Sequence, residues 1–118
     1  MRFFYLIAAH NEEGHIARAI ERLRSVTERF PGSRVFLLDN GSLDDTWREC
    51  LEAQKTHPQW ITALRDERKG IGIAFRMGLD ALSAAERLGP DDWVVLAATD
   101  LPFGFSDLDA LCARDDQE

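Results

Sequence analysis

The segment 39–46, DNGSLDDT, places three aspartates, one asparagine and two hydroxyl side chains within eight positions. It directly follows the apolar run 35–38, VFLL. Carboxylate and amide groups at such a turn can accept hydrogen bonds from a ligand or bind a hard cation, and they can equally cap the helix that follows. The segment alone therefore predicts either a ligand-binding wall or a helix-capping turn.

Three more polar clusters follow apolar runs in the same way. They are His10–Glu13 after residues 3–9, Arg65–Lys69 after residues 60–64, and Thr99–Asp100 after residues 93–97. If the runs are parallel strands, all of these clusters lie at the carboxyl edge of one sheet, where open α/β sheets bind their ligands. Acidic groups outnumber basic ones there, which suits a divalent cation and hydrogen bonds to a base and a ribose.

The elements that must position these clusters alternate along the chain. Apolar runs predict strands at 3–9, 34–38, 60–64 and 93–97, and helical spacing predicts helices between residues 11 and 30, at about 45–55 and at 71–88. Asn11 is a candidate N-cap of the first helix, and Ser42 with Asp45 resembles a capping box for the second. The β-α-β-α-β-α-β order predicts an α/β domain with a mostly parallel sheet of about four strands flanked by helices.

The third predicted helix has an apolar repeat of its own. The residues expected on one face are Ile71, Phe75, Leu79 and Leu82. A further helix is predicted from Phe105, with Ser106 as its cap.

Composition limits the function classes. The chain has 118 residues, a net charge of −7 and no block of lysine and arginine, so no electrostatic footprint for nucleic acid is present. Its two cysteines are far apart and indicate reduced thiols. No run approaches the roughly 20 apolar residues of a membrane helix. We expect a cytoplasmic protein, free or peripheral at the cytoplasmic face of a membrane.

Four segments carry a resemblance to a known family. LIAAHNEEGHI, VFLLDNGSLDDT, RKGIGIAFRMGL and VVLAATDLPF occur in the order found in family-2 glycosyltransferases of the GT-A fold. The chain looks most like the branch that includes dolichyl-phosphate mannose and glucose synthases. The resemblance implies a Rossmann-like nucleotide-binding half that helps transfer a hexose from a UDP- or GDP-linked sugar to an acceptor such as a polyprenyl phosphate.

The resemblance also implies roles for individual residues. The nucleotide-binding positions are Ala8, His10, Asn11, Glu12, Asp39, Asn40, Ser42, Lys69, Gly70 and Thr99. Asp39 would accept the base N–H, and Gly70 would open a helix beside the diphosphate, with Arg68, Lys69 or Arg76 as the cation. Asp100 would bind Mg²⁺ or Mn²⁺. Two positions depart from the family's first motif, which has Pro where Ala8 stands and Tyr where His10 stands; His10 could stack on the base.

The metal motif and the length of the chain also depart from the family pattern. Ala98 replaces the first carboxylate of the family's Asp-x-Asp segment, which predicts weaker metal binding. Relatives of this kind are about twice as long, so we expect residues 1–118 to form a single truncated domain without an acceptor-binding half. No catalytic base can be named, because Asp107 and Asp109 fit a helix start.

The sequence leads to one expectation about self-association and to three alternative functions. In the family's usual strand order, 3-2-1-4, the last strand, 93–97, would expose an open edge, which predicts a homo-oligomer through that edge. The chain could be a glycosyltransferase or its donor-binding half. It could also be a non-catalytic nucleotide-binding remnant, or an α/β interaction domain whose acidic loops bind nothing.

Overall fold

A computed structural model describes residues 1–68 and 70–98. The described residues form four strands and three helices in alternation: β1 (Phe3–Ala9), α1 (Ile16–Arg29), β2 (Arg34–Asn40), α2 (Thr46–Thr56), β3 (Ile61–Asp66), α3 (Ile71–Ala85) and β4 (Trp93–Ala98). All strand pairs are parallel and the order is β3-β2-β1-β4. The predicted α/β class, its parallel sheet and its strand order are confirmed. The helix predicted from Phe105 lies outside the described residues.

Both faces of the sheet are covered, which explains why β1 is apolar at every position. Phe3, Tyr5 and Ile7 pack with α1 and α2 in one core cluster, whereas Phe4 and Leu6 pack with α3 in another. A strand buried on both faces needs apolar side chains at odd and even positions alike. The two clusters hold the sheet rigid beneath the loops at its carboxyl edge.

β2 and β3 each extend two residues further at their carboxyl ends than the sequence predicts. β2 includes Asp39 and Asn40, and β3 includes Arg65 and Asp66, so these residues are not in the loops beyond the strands. Parallel pairing continues through them, with Asp39 opposite Arg65 and Asn40 opposite Asp66. Their polar side chains hid the strand ends from a prediction based on apolar runs.

The predicted apolar face of α3 is right for Leu82, which is buried, and for Phe75, which packs against the core, but it is wrong for the other two residues. The residues buried against the sheet are Ala74, Gly78 and Leu82. Ile71 and Leu79 are exposed. A Cβ atom on Gly78 would lie 2.8 Å from Leu38 Cδ1, so α3 approaches the sheet at Gly78 too closely for a side chain.

The amino edge of the sheet is held by an ion-pair network around Arg2. Its guanidinium contacts Asp92 at 2.7 Å and Glu86 at 3.0 Å, and Arg34 lies 3.6 Å from the same glutamate. The hydrogen bonds from Arg2 and from the Gly89 N–H lower the pKa of Asp92 to about 2. This network fixes the start of β1 to the connection between α3 and β4, at the end of the sheet opposite the predicted site.

β4 is the last strand on one side of the sheet that the described residues form, and Leu96 on it is exposed. None of the helices in the described part of the chain is long and apolar enough to cross a membrane.

Candidate functional site

The carboxyl edge of the sheet brings together the loops that follow β1, β2 and β3. The loops after β1 and β2 are joined by four successive backbone N–H groups, those of residues 11–14, which donate to side chains of residues 42–49. The bonds run from Asn11 to Ser42 Oγ, from Glu12 to Thr46 Oγ1, from Glu13 to Asp44 Oδ2, and from Gly14 to the Glu49 carboxylate, with lengths between 2.8 and 3.3 Å. We call residues 11–14 and 42–49 with these bonds the loop bridge. It makes the two loops one unit.

The loop bridge corrects both predicted helix caps. α2 begins after Asp45 and α1 after His15, and neither residue makes a side-chain capping bond. Ser42 binds across to the other loop, and Asn11 has a positive φ of 51° with its Oδ1 accepting from the Leu43 N–H at 2.9 Å. These oxygens therefore satisfy N–H groups of the neighbouring loop rather than those of a helix start.

Asp44 has a double role within the loop bridge. It accepts from the Thr46 hydroxyl and from the Thr46 N–H as well as from the other loop. These bonds lower the pKa of the Asp44 carboxyl, the hydroxyl of Thr46 contributing most. Asp44 is thus held ionised, and its charge serves the turn.

His10 connects the ends of β1 and β2. Its Nδ1 lies 2.7 Å from the Asn40 carbonyl oxygen, and its Nε2 lies 3.3 Å from Asn11 Nδ2. A carbonyl only accepts, so Nδ1 carries the proton and Nε2 accepts from the asparagine amide. The imidazole is exposed and fixed in orientation, which suits the stacking role that the sequence suggested.

Asp39 is the central group of the site. Its side chain is 0% exposed and lies on β2 with its Oδ2 3.1 Å from Arg65 Nε. Neither carboxylate oxygen accepts a hydrogen bond from the described residues, and the same holds for Oδ1 of buried Asn40 on the same strand. A buried acceptor without a donor costs about 1–3 kcal/mol, and more when it is charged. The end of β2 therefore presents acceptors that a ligand with N–H or O–H groups would satisfy.

Arg65 is the residue that sequence reasoning missed. The sequence placed it in a polar cluster without giving it a role, whereas the ladder sets it directly opposite Asp39. Its Nη2 donates to the Ser42 carbonyl at 3.3 Å, its guanidinium lies 6.0 Å from the Trp47 ring centroid, and its side chain is 35% exposed. The only available signal was register: a strand of six residues ending at Asp66 would have paired the two.

Cys50 lies in the core behind the site. Burial, and then the negative charge of Asp39, raise the pKa of its thiol to about 12. The thiol is therefore neutral at physiological pH.

The start of α3 offers backbone donors at the same edge. Gly70 is the N-cap with φ of 139°, no side chain within residues 1–68 and 70–98 caps the helix, and its first turn contains no acidic residue. Uncapped N–H groups at a helix start attract anions. The loop bridge, by contrast, occupies the N–H groups of residues 11–14, so these groups are not open to a phosphate.

The basic side chains near α3 are balanced by acids. Arg68 binds Asp66 at 2.7 Å, and its hydrogen bonds lower the pKa of that carboxyl to about 2. Arg68, Arg76, Asp66 and Asp80 line one cavity of about 450 Å³. Lys69, the remaining candidate cation, lies outside the described residues.

The β2–α3 side of the site depends on a close backbone approach. Gly41 has φ of 69°, and a Cβ atom there would lie 2.8 Å from the Glu67 carbonyl oxygen. Any side chain at this position would push the end of β2 away from the loop that leads to Gly70.

The end of β4 completes the edge. Ala98 is the ladder partner of half-buried Ala8, so the chain leaves β4 beside the end of β1. Thr99 and Asp100 lie outside the described residues. Within residues 1–68 and 70–98, no group of three or more His, Cys, Asp or Glu side chains is placed to hold a metal ion.

A second cavity, of about 460 Å³, lies at the opposite edge. It is formed at the amino ends of β2 and β3 by residues that include Ser33, Arg34, His57, Trp60 and Glu86. Since the two cavities are of nearly equal size, volume does not distinguish the edges. The side-chain oxygens of Asp39 and Asn40 that accept no hydrogen bond from the described residues lie at the carboxyl edge, and they favour it.

Comparison with known proteins gives one match. The model of the family described as glycosyl transferase family 2 matches residues 5–100. A search of curated proteins and a search of solved structures each found no match. The matched range contains β2, β3, β4 and all of β1 but its first two residues, and it includes every sequence-predicted site residue, from Ala8 to Asp100.

Proposed function

Because the chain belongs to glycosyl transferase family 2, we propose that its carboxyl edge binds the nucleoside diphosphate of a UDP- or GDP-linked hexose. The observation that carries this proposal is Asp39: a carboxylate at the end of a central strand, fully buried, with two oxygens that accept no hydrogen bond from the described residues. A nucleobase N–H is a donor of the kind these oxygens lack.

The other residues divide the nucleotide between them. His10 stacks on the base beside Asp39, while Glu12 and the open amide oxygen of Asn40 accept from ribose hydroxyls. The N–H groups after Gly70 receive the diphosphate, because this helix start is uncapped. Ser42 acts indirectly, because its hydroxyl holds the Asn11 N–H in the loop bridge.

Metal binding is part of the proposal. Asp100 would hold Mg²⁺ or Mn²⁺, hard cations that prefer carboxylate oxygens. When bound, such an ion neutralises charge on the departing nucleoside diphosphate. The described residues supply no metal group of their own, so this role depends on Asp100 with Thr99 beside it.

The acceptor and the setting follow from the resemblance alone. We propose a polyprenyl phosphate acceptor, as in the dolichyl-phosphate sugar synthase branch, and a position at the cytoplasmic face of a membrane. On this proposal residues 1–118 are the donor-binding half, and acceptor binding requires further chain. A nucleotide-binding module without turnover is the second candidate, and Ala98 in place of a carboxylate favours it.

Self-association belongs to the same proposal. β4 ends the sheet formed by the described residues, and an unpaired strand edge can pair with another chain. We expect a dimer or a larger homo-oligomer through Trp93–Ala97. Light scattering at high protein concentration measures this directly, and a monodisperse monomer would contradict it.

Calorimetric titration tests the donor site. The purified chain, shown to be folded by circular dichroism, is titrated with UDP and with GDP, each with and without Mn²⁺. We expect one of them to bind, the affinity to rise with metal, and binding to be lost in Asp39→Ala. Asp91→Ala, which removes an exposed carboxylate at the amino edge, is the matched control and should bind normally. A folded chain that binds neither nucleotide would leave an interaction domain as the better account.

A further inference from the structure

Resting on the donor site proposed above, we infer that Arg65 is a specificity-determining residue that reads the base together with Asp39. Asp39 accepts a hydrogen bond from an N–H group in the ring of the base. Arg65 donates a hydrogen bond to the carbonyl oxygen on the neighbouring ring atom. Uracil and guanine carry this N–H and carbonyl pair. Cytosine and adenine have a lone pair and an amino group at the same two positions.

Arg65 lies beside Asp39 and makes few hydrogen bonds to the described residues. It contacts Asp39 through Nε at 3.1 Å, but the contact does not satisfy the carboxylate, whose oxygens accept no hydrogen bond from the described residues. The side chain is held otherwise by one long bond to the Ser42 carbonyl and by Trp47. A guanidinium has five N–H donors, and most of those on Arg65 are not taken up by the residues that the structure describes.

Asp39 and Arg65 differ in their exposure to solvent. Both oxygens of Asp39 are shielded from solvent, whereas Arg65 beside them is 35% exposed. A base that reaches Asp39 therefore does so next to Arg65, whose side chain is partly open to solvent. The pair then presents one acceptor and one donor, side by side, to the edge of the ring.

The chemistry of the two groups gives the selectivity. A carboxylate accepts and cannot donate, and arginine donates and cannot accept, because it keeps its proton at all relevant pH values. Cytosine and adenine would place a lone pair against the buried anion and an amino group against the guanidinium. Cytosine or adenine could avoid both mismatches only if the base moved by one ring position relative to Asp39 and Arg65. Such a movement would take the base away from the position in which its ribose and diphosphate hold it.

Matched nucleotide pairs test this inference. Wild-type protein and Arg65→Met are titrated with UDP against CDP and with GDP against ADP, in the presence of Mg²⁺. We expect the wild type to prefer one carbonyl base over its amino partner. In Arg65→Met, affinity for that carbonyl base should fall by about tenfold, the scale of one good side-chain contact to a base edge, with little change for the amino base. Arg24→Met, which removes an exposed arginine on α1, should change neither.

Two more variants keep the test decisive. If Arg65→Met fails to fold, Arg65→Lys retains a cation beside Asp39 but loses the planar fork, and it should also lower the preference. Asp39→Asn gives the pair an amide N–H that can face a ring lone pair, so CDP or ADP should gain relative to UDP or GDP.

The outcomes separate this inference from the donor site itself. If wild type binds a nucleotide and Arg65→Met keeps both its affinity and its preference, Arg65 does not read the base and the donor site stands. An equal loss for the carbonyl and amino bases also overturns the inference, since it indicates only general support of the site. If the folded wild type binds none of the four nucleotides, the donor site fails and the inference fails with it.

Discussion

Alanine at Gly41 should destabilise the protein strongly, because this position combines a left-handed backbone with a close contact. Its φ is 69°, and an added Cβ would lie 2.8 Å from the Glu67 carbonyl oxygen and 3.3 Å from the Glu67 carbonyl carbon. A left-handed backbone costs an L-residue about 1–2 kcal/mol. Forcing apart two close-packed segments costs about 1–3 kcal/mol, and the less flexible unfolded chain offsets about 0.4–1 kcal/mol.

The sum is a loss of about 2–4 kcal/mol in the free energy of unfolding. For a domain of this size, each kcal/mol lowers the midpoint of thermal unfolding by about 4 °C, so Gly41→Ala should melt about 8–16 °C below the wild type. Thermal and urea unfolding followed by circular dichroism give both quantities. The affinity for nucleotide should fall as well, because Gly41 lies between Asn40 and Ser42.

Three other glycines separate the two causes. Gly14 has φ of 87° with nothing within 4 Å of an added Cβ, so Gly14→Ala should show the backbone cost alone. Gly78 is helical and meets Leu38, so Gly78→Ala should show contact cost reduced by a gain in helix propensity. Gly72 has neither feature, and Gly72→Ala should stabilise α3 by up to about 1 kcal/mol. A Gly41→Ala protein as stable as Gly72→Ala would refute the close approach of β2 to the Glu67 loop.

Three further predictions concern the loop bridge, the buried thiol and the amino edge. Thr46→Val should lower the free energy of unfolding, measured in urea, by about 1–2 kcal/mol, because it removes the buried hydroxyl that accepts from the Glu12 N–H in the loop bridge. The control Thr56→Val, at the exposed end of α2, should lower it little. In a protein with Cys112 replaced by serine, Cys50 should not react with a thiol reagent at pH 8 until the protein unfolds. A pKa of about 12 leaves roughly one Cys50 side chain in ten thousand as the reactive thiolate at that pH. Rapid labelling of the folded protein would contradict this prediction. Asp92→Asn should be less stable than the wild type at pH 7, because the pKa of Asp92 is about 2 in the folded protein and higher in the unfolded chain. Urea titrations should show this difference in unfolding free energy vanishing as the pH falls from about 4 to 2. A difference that persists at pH 2 would have to come from packing and not from the charge of Asp92.

The alternation of apolar runs and helical spacing was enough to predict the α/β class and the parallel sheet, whereas the strand order came from the resemblance to the family. The apolar run of β1 indicated a strand buried on both faces, and the Gly-rich segment after β3 indicated the start of α3, both as observed. The strand ends escaped prediction because Asp39 and Arg65 are polar residues on paired strands, and apolar patterning cannot detect them.

For the candidate site residues that the structure describes, the sequence predicted the edge of the sheet at which they lie, but it did not predict their contacts. Ser42 looked like a local cap, since capping is the commonest use of such a residue before a helix, but its hydroxyl binds a loop 31 positions away. Long-range partners of this kind depend on which strands lie side by side and in what register. The pairing of Asp39 with Arg65 has the same origin, so it became visible only when β2 and β3 were aligned.

The most direct test of the central claim is to locate nucleotide binding by amide chemical shifts. Two-dimensional ¹H–¹⁵N spectra of the labelled chain, assigned and then titrated with UDP and GDP, report each backbone position separately. The donor site predicts shifts concentrated at residues 8–12, 39–42 and 65–72, at the carboxyl edge. Shifts confined to the cavity at the amino edge, around Arg34, Trp60 and Glu86, would contradict it and move the site to the other end of the sheet.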